Sequence, residues 1–416
     1  MPTAADAGVT QVRELLARRD FRLLFAARTA SVLGNAVVPV AVAFAVLDLT
    51  GSATDLGIVL AARFVPQLVL LLVGGVLADR LPRQRVMVGA DVAAGASQAI
   101  AAVLLLTGTL ELWQLVALEA VNGAAFAFFF PASTGLIPRT VTPALLQPAN
   151  ALLRLSSNGM TVLGAGLAGV IVAATGPGEA LAIDSATFLV SAACCSLLRV
   201  SGEMTGPGRR FLADLVAGWR EFTRRRWLWS VVAQFSIVNA AHAGAFLVLG
   251  PVVAKDSLGG AAAWGLIVAA EAAGFVVGGL LGLRFRPRRP LLAGSIGVLL
   301  WAPPLALLAL AAPPGVIAAA AVVGGLGAET FGVQWDTSLQ GHVPGAALSR
   351  VSSYDALGSL ALMPLGLAVA GPLAAAVGTA TAIWAACALI VVATAAVLLV
   401  SEVRTLPRTA AGEAGG

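Results

Sequence analysis

Five carboxylates stand where this chain otherwise leaves little room for charge. Glu119, Glu271 and Glu329 fall deep inside long apolar runs, while Asp184 and Asp91 lie nearer the ends of two others. A carboxylate stripped of hydration disfavours its charged form, so it can take up and release a proton near neutral pH. An ionisable group at such depth is costly, and its default reading is functional. Glu119 and Glu271 fit a proton-carrying role or a static internal ion pair, with Arg63 and Arg28 as the basic partners. Glu329, beside Gly324, Gly325 and Gly327, fits either that role or a packed helix gap. Asp184 also fits a cap or a hydrogen bond near a surface, and Asp91 a structural pair with Arg80, Arg83 or Arg85. Only two histidines exist, and Cys194, Cys195 and Cys387 all lie within apolar runs. That pattern suits packing cysteines and gives neither a disulfide framework nor a metal site. No nucleophile–base set and no Gly-rich phosphate loop appears, so neither enzymatic chemistry nor a cofactor is expected.

The elements that position these groups follow from composition. Of 416 residues, 59% are hydrophobic and 11% charged, with a mean hydropathy of +0.92. Soluble domains carry about a quarter charged residues, so the solvent for most of this surface is lipid. A helix crosses the hydrocarbon in about 20 apolar residues. Twelve runs reach that length, at 22–47, 55–78, 86–107, 111–135, 151–174, 179–199, 227–250, 261–283, 290–311, 315–335, 351–376 and 378–400. A spanning β-barrel would show short alternating segments instead. The first run is interrupted by Arg22, Arg28, Asn35 and Pro39, and no small-residue cleavage site follows it. It reads as a retained helix and not a signal peptide. Pro39, Pro66, Pro131, Pro303, Pro304 and Pro364 interrupt spans and predict kinks.

The basic residues give the orientation. Arg13, Arg18, Arg19 and Arg22 precede the first run, and Arg80, Arg83 and Arg85 follow the second. Arg139 follows the fourth, a cluster from Arg199 to Arg226 follows the sixth, and Arg284 to Arg289 follow the eighth. Arg350 precedes the eleventh run, and Arg404 and Arg408 follow the twelfth. The alternate loops hold only Lys255. By the positive-inside rule both termini are cytoplasmic, which requires an even helix count. The same placement accounts for a pI near 10.0 without a nucleic-acid partner.

The longest hydrophilic stretch, 201–226, separates two sets of six runs. Three segments follow: a six-helix bundle over 1–200, a linker over 201–226 and a second bundle over 227–416. Within the linker, Phe211, Leu215, Trp219 and Phe222 recur at helical spacing among basic residues. That pattern fits an interfacial helix on the anionic leaflet, or a solvated linker helix. The halves echo each other: GGVLADRLPRQR (74–85) answers GGLLGLRFRPRRP (278–290), and His242 stands nearly where Asn35 stands in the first half. A duplicated six-helix unit is a known plan for secondary transporters.

GVLADRLPRQR, Gly75 to Arg85, resembles the loop 2–3 signature of the major facilitator superfamily. Gly75, Asp79, Arg80, Arg83 and Arg85 match it, and Pro82 and Gln84 stand where glycine and a basic residue are usual. The resemblance covers nearly the whole chain. It implies an all-α integral membrane fold of twelve helices in two pseudo-symmetric bundles, with Asp79 gating against the start of the eleventh helix, Ser349 to Asp355. It also implies that helices 1, 4, 7 and 10 line a cavity. The candidates for contact with cargo are then Asn35, Arg63, Asn122, His242 and Trp335, and the proton-coupling candidates are Glu119, Glu271, Glu329 and Asp184. FRLLFAARTASVLGNAVVP, LDLTGSATDLGIVLAARFVP and FFFPASTGLIPRTVTPALLQPANAL resemble the bacterial enterobactin-exporter and macrolide-efflux branch. That branch implies proton-driven export of a small drug-like or secondary-metabolite molecule across the bacterial cytoplasmic membrane, by a chain acting as a monomer. Two positions depart from the antiporter pattern. Ala165 replaces a helix 5 proline, and in helix 4 Glu119 precedes Asn122 and Gly123 where an arginine is usual. Uptake or facilitated diffusion of a nutrient is the alternative within transport. A sensor or an integral membrane enzyme is the alternative outside it, and His342, the one loop histidine, lacks the adjoining acid an acyltransferase needs.

Overall fold

The computed structural model describes residues 4–199, 218–282 and 284–408, leaving outside the side chains of 4–10, 72–80, 345, 346 and 349. Twelve helices among the described residues are long and apolar enough to cross a membrane, and no strand accompanies them. In chain order they are α1 (Arg19–Thr50), α2 (Ala53–Arg80), α3 (Arg83–Leu106), α4 (Leu112–Thr140), α5 (Pro143–Thr175) and α6 (Pro177–Ser196). The second set is α7 (Arg226–Leu258), α8 (Ala261–Gly282), α9 (Pro290–Ala309), α10 (Pro314–His342), α11 (Arg350–Val377) and α12 (Thr379–Leu398). Every apolar run becomes one of these helices. Several helices outrun their apolar stretch: α4 continues to Thr140 and α10 to His342. Backbone hydrogen bonding carries a helix onward once its polar end turns emerge from hydrocarbon.

Large apolar side chains are exposed along the spans, among them Val69, Val170 and Val392 at 62–63%. This is the surface a protein presents to lipid and not to water. Trp113 and Trp229 stand exposed near helix ends, where an indole bridges the apolar and wet layers. Some of the prolines interrupt the helical ladder and others do not. Pro39, Pro66 and Pro131 lie inside α1, α2 and α4. In α9 a 3-10 turn, Leu299–Trp301, precedes Pro303 and Pro304. In α7 the ladder widens into π-helix over Ala243–Leu249 and again over Ala254–Leu258.

The chain divides into two compact units, one of Met1–Gly51 with Val59–Gly206 and one of Ser52–Ile58 with Pro207–Gly416. The first turns of α2 thus cluster with the second unit rather than with the 1–200 segment. In the first unit, Leu15 of an N-terminal helix (Ala4–Ala17) packs with Phe21, Leu24, Met87 and Leu136. Of the residues on the linker's expected apolar face, Phe211 and Leu215 lie outside the described residues. Phe222 is buried and stacks with Trp219 and Tyr354, so it anchors the second unit's core.

Candidate functional site

A buried polar chain links four helices of the first unit. Arg63 of α2 donates through Nη1 to Glu119 Oε2 of α4 at 3.1 Å, and through Nη2 to Asn35 Oδ1 of α1 at 2.7 Å. Gln98 Nε2 of α3 donates to Glu119 Oε1 at 3.2 Å, and Asn35 Nδ2 donates to the Ser31 carbonyl at 2.8 Å. Glu119 is 1% exposed. One guanidinium bond and one amide bond therefore hold it, each stronger than a neutral pair because the acceptor is charged and the surroundings are dry. The helix 4 departure noted in the sequence has its physical meaning here. The acid stands on α4, and the arginine that balances it comes from α2.

Asp184 of α6 is fully buried, and neither carboxylate oxygen has a hydrogen-bond partner among the described residues. The Thr187 hydroxyl donates to Asp184's own carbonyl at 2.7 Å, while Arg63 and Glu119 lie within electrostatic reach. Gly34 makes the space, because a Cβ there would collide with Asp184 Oδ1 and Thr187 Oγ1. Sequence proximity to a helix end suggested a cap or surface hydrogen bond for Asp184; the structure encloses it instead. Asn122 is also buried, its Nδ2 unpartnered. Its neighbour Gly123 meets the Arg63 carbonyl oxygen where any Cβ would collide. Backbone touches backbone beneath the ion pair, as small residues permit in membrane helices.

The second unit pairs different chemistry. His242 Nε2 of α7 lies 3.2 Å from Glu271 Oε1 of α8. The imidazole stacks on Trp301 of α9, with centroids 4.2 Å apart and 9° between planes, and on Phe246 at 5.0 Å and 14°. His242 Nδ1 and Trp301 Nε1 are buried without hydrogen-bond partners among the described residues. His242 is also the last α-helical residue before the π-segment Ala243–Leu249, and such widenings recur at functional sites. A Cβ at Gly325 of α10 would collide with the Glu271 carbonyl oxygen, as one at Gly123 would with Arg63. Arg63 follows the first residue of α2, Ala53, by ten positions, and Glu271 follows the first of α8, Ala261, by ten. The two repeats thus place opposite charges on equivalent backbone sites.

A family model described as the Major Facilitator Superfamily matches residues 24–359. The chain belongs to the Major Facilitator Superfamily. It is 29% identical over 389 residues to the multidrug efflux pump Tap of Mycolicibacterium fortuitum, covering 86% of this chain and 89% of that one. It is 27% identical over 121 residues to macrolide efflux protein A of Streptococcus pyogenes, covering 29% of this chain and 30% of that one. Its fold is similar to the crystal structure of a nucleoside transporter NupG mutant, with a TM-score of 0.75, 14% identity and coverage of 91% and 99%. A bacterial homologue of the human lysosomal transporter Spinster, in an inward-facing unoccupied conformation, gives a TM-score of 0.70, 17% identity and coverage of 95% and 99%. The chain is accordingly a multi-pass membrane transporter of this superfamily, which acts on small molecules and is not a family of enzymes.

Other expected site residues of this superfamily member are placed elsewhere. Glu119 is paired by Arg63 and not by Arg28, and Glu271 meets an imidazole instead of an arginine. Glu329 is half-buried over Gly278 and Gly279 of α8, toward the C-terminal end of the α8–α10 seam. Trp335 is buried, stacks with Phe331, meets Trp227 edge to face, and donates from Nε1 to Asp355 Oδ2 at 2.9 Å. Asp91 accepts from Ser191 Oγ of α6 at 2.6 Å. In the loop 2–3 signature Arg83 is half-buried over Gly135 of α4 and Arg85 is exposed. The side chains of Gly75, Asp79 and Arg80 lie outside the described residues. Sequence reasoning missed Gln98 and Trp301. A glutamine within an apolar run was a readable signal for the first, but nothing in spacing marked the second.

Proposed function

We propose that this chain is a proton-coupled exporter of small drug-like or secondary-metabolite molecules, working by alternating access as a monomer. Its place is the bacterial cytoplasmic membrane, with both termini on the cytoplasmic side, where the arginine-rich loops put them. The supporting observation is the charge balance of the buried first-unit cluster. Arg63 supplies one positive charge, while Glu119 and Asp184 supply two negative ones, and the Asp184 carboxylate has no hydrogen-bond donor among the described residues. A carboxylate without a partner in a dry interior is not sustained as an anion. One bound proton neutralises the cluster, and its release leaves a net negative charge that a change of surroundings must relieve. That is the thermodynamic requirement for coupling: proton binding must differ between two states. Asn35 of α1 and Glu119 of α4 also stand on helices expected to line the cargo path, which ties protonation to cargo contact. Export rather than uptake follows the names of the Tap and macrolide efflux relatives.

Purified protein in liposomes with an imposed pH gradient tests this reading, a macrolide and a tetracycline serving as cargo. Wild-type protein should move cargo toward the compartment from which protons enter, and Asp184→Asn should make transport indifferent to the gradient. Gradient-independent transport by the wild type would overturn proton coupling, and movement of cargo with the protons would establish the uptake alternative.

A further inference from the structure

A second recognition element lies in the second unit, away from both charge pairs. A cavity of about 150 Å³ opens between α7, α10 and α11, walled by Phe235, Phe331, Trp335, Asp355 and Ser359. Phe235 and Phe331 stack with centroids 4.2 Å apart and 22° between planes, and Phe331 continues onto Trp335 at 6.0 Å and 17°. The one charged wall is Asp355. Its oxygens accept from Trp335 Nε1 at 2.9 Å and from Ser359 Oγ at 3.3 Å. Both donors are neutral, and among the described residues no arginine, lysine or histidine pairs with this carboxylate.

We propose that this cavity binds an organic ammonium group, the protonated amine or quaternary head of a cationic molecule. Three features select that chemistry. The carboxylate has accepting capacity left after its two neutral bonds and, among the described residues, supplies a charge that no cationic side chain pairs. Aromatic rings line the wall, and an aromatic surface attracts a cation best when it is poorly hydrated. A hard metal ion finds one carboxylate where it needs six or more oxygens, whereas an alkylated ammonium needs only a charge and apolar contact. Trp335 serves both purposes, since its N–H fixes the carboxylate while its ring forms part of the wall. The volume admits one ammonium head and not a whole drug molecule, so the pocket would hold an amine-bearing arm of a larger ligand. Binding here is independent of the proton reading; loss of coupling at Asp184 would leave this pocket intact.

Calorimetric titration of the full chain in lipid nanodiscs tests the inference, with choline and its neutral tert-butyl isostere as probes. The wild type should bind choline saturably, with the isostere at least about tenfold weaker, since both offer the same shape and only one the charge. Asp355→Asn, which keeps an oxygen for Trp335, should weaken choline by a similar factor. Equal affinity for the two probes would reduce the cavity to an apolar pocket and overturn the proposal. Undiminished choline binding by Asp355→Asn, or no choline binding by the wild type, would overturn it as well. The probe comparison needs no variant, so a poorly folding substitution leaves the test standing.

Discussion

Removing one carboxylate from the first-unit cluster should do less harm than removing two, and by a margin that charge counting sets. With Arg63 positive and both Glu119 and Asp184 present, neutrality requires a bound proton. Glu119→Gln leaves Arg63 and Asp184 to balance each other, and Asp184→Asn leaves the Arg63–Glu119 pair at 3.1 Å intact. Each single variant is thus neutral without a proton; Glu119→Gln alters the bonds from Arg63 and Gln98, about 1 kcal/mol each in membrane helices, and Asp184→Asn alters none among the described residues. The double variant leaves a guanidinium whose side chain is 11% exposed with no counter-charge. An uncompensated buried charge costs about 3–5 kcal/mol. The singles together should cost about 2 kcal/mol, so the cycle should show a coupling of roughly 1–3 kcal/mol. The assay is a double-mutant cycle on thermal or denaturant unfolding in one detergent at pH 7, with proton uptake measured on the same samples. Both single variants should also lose the proton that the wild type binds. Strict additivity, with coupling under about 0.5 kcal/mol, would refute the shared-charge reasoning, because each carboxylate would then be balanced on its own.

Other consequences of the geometry are open to direct measurement. Gly325→Val drives side-chain atoms into the Glu271 carbonyl and should sharply reduce the yield of folded protein. Gly315→Val, at an exposed position with nothing within 4 Å, should express as wild type. Ser191→Ala withdraws the donor at 2.6 Å from buried Asp91 and should cost about 1–3 kcal/mol of unfolding free energy; no change would show Asp91 to be satisfied otherwise. Outside the membrane spans, the hydrogen bond from Arg225 holds the Glu221 carboxyl below its ordinary range. A depressed value means stability present above the ordinary glutamate value, about 4.3, and lost as pH falls through the lower folded one. Glu221→Gln should therefore be slightly less stable than wild type at pH 7 and converge with it in acid.

Span number was legible because twenty apolar residues in a row admit one structure in lipid, and the charges were legible for the same reason. Glu119 with Arg63 could be proposed from letters, since two opposite charges at membrane depth have few alternatives. His242 with Glu271 could not, because an imidazole on α7 declares no partner and its stack depends on how α9 turns at Leu299–Trp301. Asp184 was open between a proton site and a cap near a surface, and the structure buries it for a physical reason. Position along a helix sets depth, but burial depends on the facing helix, and there Gly34 opens a niche that no side chain would. For Phe222, helical spacing showed an apolar face and not whether lipid or Tyr354 would cover it.

The glycine contacts beneath Arg63 and Glu271 also bear on how much freedom the duplicated scaffold has. In both repeats the carbonyl at this position rests on a glycine of the facing helix, so main-chain geometry there is set before any side chain is chosen. One half then carries a guanidinium at that anchor point and the other a carboxylate. The architecture is indifferent to the sign it displays. Polarity at this position is a setting that can be rewritten without rebuilding the bundle, provided that the neighbours which answer it are changed together.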